Sequence, residues 1–107
     1  MNGTLEKVKR LEQYLCVRNT VIDPVLDLTI TKLLEREADR IYHLRKRLSE
    51  QLAEFEQHYA LASAEFHTRY EQGDMGDHTD FVEWSATFEM IDNLDKQLIV
   101  LKNPVSL

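Results

Sequence analysis

Five side chains that could bind a cation lie within one stretch of ten residues. They are Asp74, Asp77, His78, Asp80 and Glu83. A calcium-binding EF-hand loop needs acids at alternate positions, a central glycine and a terminal glutamate. Here the acids recur at intervals of about three, a spacing that suits helix capping and a favourable interaction with the helix dipole. We therefore expect capping, with calcium binding as the alternative.

Other reactive patterns are weak. Glu54 and His58 are spaced four apart, but the Glu-x-x-His pattern of helical di-iron sites does not occur. Neither Cys16 nor any serine stands in a recognisable setting with a general base, and no glycine-rich phosphate-binding motif is present. Cys16 ends an apolar stripe, where a small buried hydrophobe is expected. We predict no enzyme, no cofactor and no metal site.

The basic residues are concentrated in the first half of the chain. They are Arg36, Arg40, Arg45, Lys46 and Arg47. Consecutive helical residues point in different directions, and nearby acids dilute the positive field, so a solvated face paired to an acidic helix is favoured over a DNA-binding surface.

Aromatic residues are concentrated in the second half. Phe66 and Tyr70 stand one helical turn apart beside Arg69, and Phe81 and Trp84 follow at helical spacing. Such rings are typical of a core, yet aromatic and arginine side chains are also favoured as binding anchors. The sequence leaves both roles open.

The spacing of apolar residues predicts four helices that position these side chains. They cover residues 4–17, 24–60, 63–71 and 80–102 of a single domain, 1–107. The long helix carries an apolar residue every seven positions, at Leu34, Ile41, Leu48 and Phe55. Such a repeat is typical of a coiled-coil-like seam.

Local signals predict where these helices begin and end. Thr4 or Asn2 could cap the first helix, and Asp23 before Pro24 is a strong start signal for the second. Ser63 is expected to cap the third, and Gly73 to end it in a left-handed conformation. Asp80 and Glu83 could form a capping box at the start of the fourth.

We predict an all-α fold in which the last helix runs antiparallel to the long one. That register sets Trp84 near Phe55, Ile91 near Leu48 and Leu98 near Ile41. It also brings Asp92 and Asp95 toward Arg45 and Arg47. The start of the long helix stays uncovered at Leu26, Ile30, Leu33 and Leu34, so we expect a dimeric bundle or another covering element.

Charge and composition bound the class of protein. The 107 residues carry a net charge of −6. Residues 1–50 hold ten Lys/Arg against eight Asp/Glu, whereas residues 51–107 hold three against eleven, a balance of −8. The second half should therefore repel nucleic acid and attract a basic partner. With one cysteine, no apolar signal stretch at the N-terminus and no long apolar run, we expect a cytoplasmic protein that does not span a membrane.

The stretch FHTRYEQGDMGDHTDFVEWSATFEM resembles the signature of small prokaryotic antitoxins of the TumA kind, which are encoded beside a RelE-like toxin called TumE. The pattern is close to F-x-x-R-[FY]-x-x-G-[ED]-[LM]-G-D-x-x-D-F-x-E-W, and the preceding HYALASAEF is also similar. The likeness covers about a quarter of the chain, from Phe66 onward.

The resemblance implies a non-catalytic inhibitor that masks a basic RNA-cleaving toxin. The predicted partner-binding residues are Phe66, Arg69, Tyr70, Asp77, Asp80, Phe81, Glu83 and Trp84. The rings would be anchors, and the acids would pair with Lys or Arg of the toxin. Two alternatives stay open, namely a self-assembling coiled-coil-like structural or adaptor protein and a metal-binding oxidoreductase bundle formed on dimerisation.

Overall fold

The computed structural model describes residues 3–18 and 23–102, and these residues form an all-α structure. Four helices occur in these ranges, and no strand is found there: α1 (Gly3–Arg18), α2 (Pro24–Tyr59), α3 (Ser63–Glu71) and α4 (Thr79–Lys102). Every predicted helix is confirmed to within one residue at each end. The chain divides into two compact units, Met1–Thr31 and Lys32–Leu107, which are described separately. The single domain stays a prediction.

The first unit holds α1 and the start of α2. None of the α1 side chains is buried, and Cys16 is exposed, so its expected role as a small buried hydrophobe is wrong. Because α1 begins at Gly3, Thr4 lies inside the helix rather than at its cap. Asn2, the other expected cap, and residues 19–22, which fall between the first two predicted helices, lie outside the described residues.

The predicted start of α2 is confirmed. The Asp23 carboxylate accepts hydrogen bonds from the backbone N–H groups of Val25 and Leu26, at 3.0 and 3.3 Å. Pro24 occupies the first helical position, where its missing N–H costs nothing. Arg18 lies 3.7 Å from the same carboxylate.

In the second unit, α2 and α4 pack as an antiparallel pair. Their shared core consists of Ala38, Ile41, Leu48, Ile91, Leu94 and Leu98. Phe55 stacks on Trp84 with ring centroids 5.5 Å apart, as the register predicts. At the opposite end, the Lys102 ammonium group donates to the Tyr42 hydroxyl at 2.5 Å. The helical hairpin is therefore formed by residues that a seven-residue apolar repeat brings onto one face.

One of the two predicted charge contacts is present. Arg45 donates to both carboxylate oxygens of Asp95, at 2.5 and 3.2 Å, in a two-pronged ion pair. This pairing raises the pKa of the Arg45 guanidinium, chiefly because the hydrogen bond to Asp95 favours its charged form. Asp92 instead pairs with Lys96 one turn along α4, at 3.0 Å, and no ion pair between Asp92 and Arg47 is found among the described residues.

The backbone adopts the left-handed conformation on either side of α3. Ala60 follows α2 with φ 52°, and Gly73 follows α3 with φ 80°. The N–H of Gly73 bonds to the carbonyl of Tyr70, and the N–H of Asp74 to that of Arg69. These two bonds form a Schellman motif, and they confirm the predicted role of Gly73.

The described helices include none that is long and apolar enough to cross a membrane.

Candidate functional site

The end of the hairpin is held together by a ring cluster, which we define as Phe55, Tyr59, Phe66, Phe81 and Trp84. Trp84 of α4 lies nearly parallel to Phe66 of α3, with centroids 3.9 Å apart and an interplanar angle of 2°. It also stacks on Phe55 and Tyr59 of α2, at 5.5 and 5.6 Å. One indole therefore contacts rings from both other helices of this unit, an arrangement that fixes α3 against the hairpin.

Hydrogen bonds complete this junction. The Trp84 indole N–H donates to the Ser63 hydroxyl at 2.8 Å, and the Ser63 backbone N–H donates to the Glu56 carboxylate at 2.8 Å. The residue before α3, Ala62, makes no side-chain capping bond. The prediction that Ser63 caps α3 is therefore wrong, because its hydroxyl satisfies the buried indole instead.

Burial corrects the predicted role of two aromatic residues. Phe66 and Trp84 are both 0% exposed. Their rings cannot touch a partner in this conformation, so the prediction that they are contact anchors is wrong. A core role was the alternative for rings at this spacing, and these two residues take it.

Three other predicted residues remain accessible. Tyr70 and Phe81 are half-buried at the edge of the ring cluster, where Tyr70 lies 5.5 Å from Phe66 and Phe81 lies 5.6 Å from it. Arg69 is exposed and pairs with Glu65 on its own helix at 2.7 Å. The structure thus leaves the edges of two rings and one guanidinium within reach of a partner.

The predicted acids Asp80 and Glu83 lie in a groove between α2 and α4, here called the acidic groove. It is lined by Gln51, Glu54, Phe55, His58, Asp80, Glu83, Ala86 and Thr87. The lining carries three carboxylates and neither lysine nor arginine. Within the described part of the chain, Glu54 and Glu83 form no ion pair. A cationic side chain of a partner would therefore meet negative charge that is not already neutralised.

Asp80 is fixed in the groove by a neighbouring phenol. The Tyr59 hydroxyl donates to its carboxylate at 2.5 Å. This hydrogen bond raises the pKa of Tyr59, with smaller contributions from burial and from the Asp80 charge. Because the phenol is neutral, this hydrogen bond restrains the Asp80 carboxylate without placing a positive charge in the groove.

The predicted capping box at the start of α4 is wrong. Asp80 sits inside α4, which begins at Thr79, and its carboxylate faces Tyr59. The cap is His78, whose ring Nδ1 accepts the Asp80 backbone N–H at 3.0 Å. Its carbonyl also accepts from Phe81 and Val82. Asp77 is exposed in the turn before α4, three positions before Asp80. It forms no ion pair with any residue that the structure describes.

Sequence reasoning missed Glu54 and His58 as groove residues. The sequence does carry a signal for them, because the predicted register sets Phe55 opposite Trp84, and Glu54 and His58 lie beside Phe55 on the same helix. It also missed a cluster of His67, Glu71 and Glu89, whose ligand-type atoms all lie within 4.8 Å of one another. No pair of these residues has the Glu-x-x-His spacing, because Glu71 follows His67 by four positions and Glu89 lies on another helix.

Comparisons of this chain with protein-family models, with curated proteins and with solved structures gave no match.

Proposed function

We propose that this chain is a non-catalytic inhibitor that binds a basic protein partner through its acidic groove. The groove supports this proposal most directly, because it holds Glu54, Asp80 and Glu83 between two packed helices without a neutralising lysine or arginine in its lining. Complementary charge speeds association and selects against acidic partners. The balance of −8 over residues 51–107 favours the same kind of partner.

The partner in this proposal is an RNA-cleaving toxin of the RelE-like kind, in keeping with the resemblance of residues 66–84 to TumA-type antitoxins. A protein that binds RNA needs a basic surface. Occupying that surface with an acidic one blocks RNA by shape and by charge. Inhibition then requires no catalytic residue on this chain and takes place in the cytoplasm, where such a toxin acts.

The residues divide into two roles in this mechanism. Phe66 and Trp84 hold the junction from inside and fix its shape. Contact with the toxin falls to the charges of Asp77, Asp80 and Glu83, together with Glu54, and to the accessible Arg69, Tyr70 and Phe81. Rigid support matters because a groove that is already formed loses less conformational freedom on binding.

Co-expression with the product of the neighbouring gene tests this function. We expect a complex that survives size-exclusion chromatography, and we expect the purified complex to leave a reporter RNA intact that the isolated partner cleaves. A neighbour that forms no complex, or one that cleaves RNA equally well in the complex, would contradict it.

A second candidate function is self-assembly as a structural or adaptor protein. It is favoured by large apolar side chains exposed on α2, namely Val25 and Leu28 in the first compact unit, and Leu33 and Leu34 in the second. This stretch precedes Tyr42, where the end of α4 contacts α2. A second copy of the chain could cover it. Sedimentation equilibrium distinguishes the two functions when the isolated chain is compared with the chain mixed with the neighbouring gene product. A stable oligomer that does not bind this product supports self-assembly.

A further inference from the structure

We propose that His67, Glu71 and Glu89 form a divalent metal site that joins α3 to α4. His67 and Glu71 lie one turn apart on α3, and Glu89 lies on α4. The His67 Nε2 atom is 3.3 Å from an oxygen of Glu71 and 3.3 Å from an oxygen of Glu89. This site is separate from the acidic groove and does not depend on the proposed function.

These separations match those of ligands around one zinc ion. Zinc binds histidine nitrogen at about 2.0–2.1 Å and carboxylate oxygen at about 2.0–2.2 Å, so neighbouring ligand atoms of a tetrahedron lie roughly 3.3–3.5 Å apart. The two contacts of His67 already have this length. The two glutamate oxygens lie within 4.8 Å of each other. Their side chains are 57% and 61% exposed, so rotation can close the remaining gap.

The histidine is held in place before any metal binds. Its side chain is only 23% exposed, and its ring packs on Phe88 of α4 with centroids 4.7 Å apart. A ligand that is already oriented loses little freedom on coordination. A mixed imidazole and carboxylate set also suits zinc, whereas calcium and magnesium prefer oxygen ligands alone.

Charge favours a cation at the same point. Two carboxylates converge on one imidazole, which has a single nitrogen directed at both. Among the residues that the structure describes, no lysine or arginine pairs with Glu71 or Glu89, and the nearby Arg69 is engaged by Glu65. A divalent ion would neutralise both acids and leave one coordination position for water.

The consequence of binding is a link between two helices. α3 contributes two ligands and α4 the third, so metal stabilises only the state in which α3 is docked. The chain should therefore melt at a higher temperature with zinc, on the order of 10 °C higher when free zinc is about a hundred times the dissociation constant.

The test is a titration of the full chain with zinc chloride, after treatment with a chelator and dialysis. Calorimetry should give one zinc per chain, with magnesium and calcium chloride binding far more weakly. Glu89→Gln and His67→Gln should each lower zinc affinity by about tenfold or more. His43→Gln and Glu50→Gln remove the same functional groups at exposed positions on α2, outside both the cluster and the acidic groove, and they should leave the affinity unchanged.

Circular dichroism shows whether the variants keep their helices. If His67→Gln loses helix because of its packing on Phe88, Glu71→Gln and Glu89→Gln decide the question, since both acids are exposed. The proposal is overturned if the chain binds no zinc, or if its zinc affinity is the same in Glu71→Gln and Glu89→Gln as in the unaltered chain.

Discussion

At the scale of single residues, Trp84 organises the end of the hairpin, because its ring stacks on Phe66 and its indole N–H donates to the Ser63 hydroxyl. Which rings become buried depends on how α3 folds back over Trp84, and that direction is set by the backbone at Ala60, whose φ is 52°. Alanine carries no sequence signal for a left-handed conformation, so the burial of Phe66 could not be anticipated.

Ser63 offers a direct measure of the junction. Replacing Ser63 with alanine leaves the buried Trp84 indole N–H without its acceptor, and we expect a loss of about 1–3 kcal/mol in the free energy of unfolding. Urea denaturation measures this loss. The exposed Ser49 on α2 provides the control, because Ser49→Ala should change stability by less than about 0.5 kcal/mol. Equal effects of the two variants would show that the indole bond does not stabilise the junction.

Tyr59 makes a prediction about alkaline pH. Its pKa is raised by the hydrogen bond to Asp80, so the folded protein holds the phenol proton more tightly than the unfolded chain does. This contribution to stability is complete below the usual tyrosine pKa of about 10 and is lost as the pH rises through the raised value. Tyr59→Phe lacks it at every pH.

The measurement is the difference in unfolding free energy between the unaltered chain and Tyr59→Phe, taken from pH 8 upward. Using the difference removes the contribution of the other tyrosines. We expect it to be constant up to about pH 10 and to shrink above that. A difference that does not change with pH would refute the role given to this hydrogen bond.

At the scale of the elements, periodicity was sufficient to predict the helices and the register of the hairpin. The apolar repeat of α2 and the apolar face of α4 allow few antiparallel alignments, and the one that pairs Phe55 with Trp84 also pairs Arg45 with Asp95. Capping was harder to predict. Several polar residues near the start of α4 could act as its N-cap. Asp80 instead accepts a hydrogen bond from Tyr59, 21 residues away, and His78 caps the helix.

A double-mutant cycle on Arg45 and Asp95 tests the register. Both side chains are partly exposed, at 38% and 44%, so we expect a coupling energy of about 0.5–1 kcal/mol that falls as salt is added. Alanine at each position, alone and together, supplies the cycle in urea denaturation. The same cycle on Arg47 and Asp92 should give no coupling, because Asp92 pairs with Lys96. Equal coupling energies for the two pairs would argue against this register.

At the scale of the whole molecule, the division of charge was visible in the sequence, but its location in space was not. Counting charges gave −8 for residues 51–107. Only the packing of α2 against α4 shows that Glu54 faces the same groove as Asp80 and Glu83. These residues are about 30 positions apart, and a local pattern cannot report such proximity.

The central claim is that the acidic groove captures a basic partner, and reversing its charge tests that claim most directly. The affinity of the purified neighbouring gene product for Glu54→Lys/Glu83→Lys is compared with its affinity for Glu50→Lys/Asp92→Lys, which makes the same charge change on α2 and α4 outside the groove lining. We expect the groove variant to bind at least about tenfold more weakly at low salt, with the gap narrowing as salt rises. Equal affinities of the two variants would contradict the account.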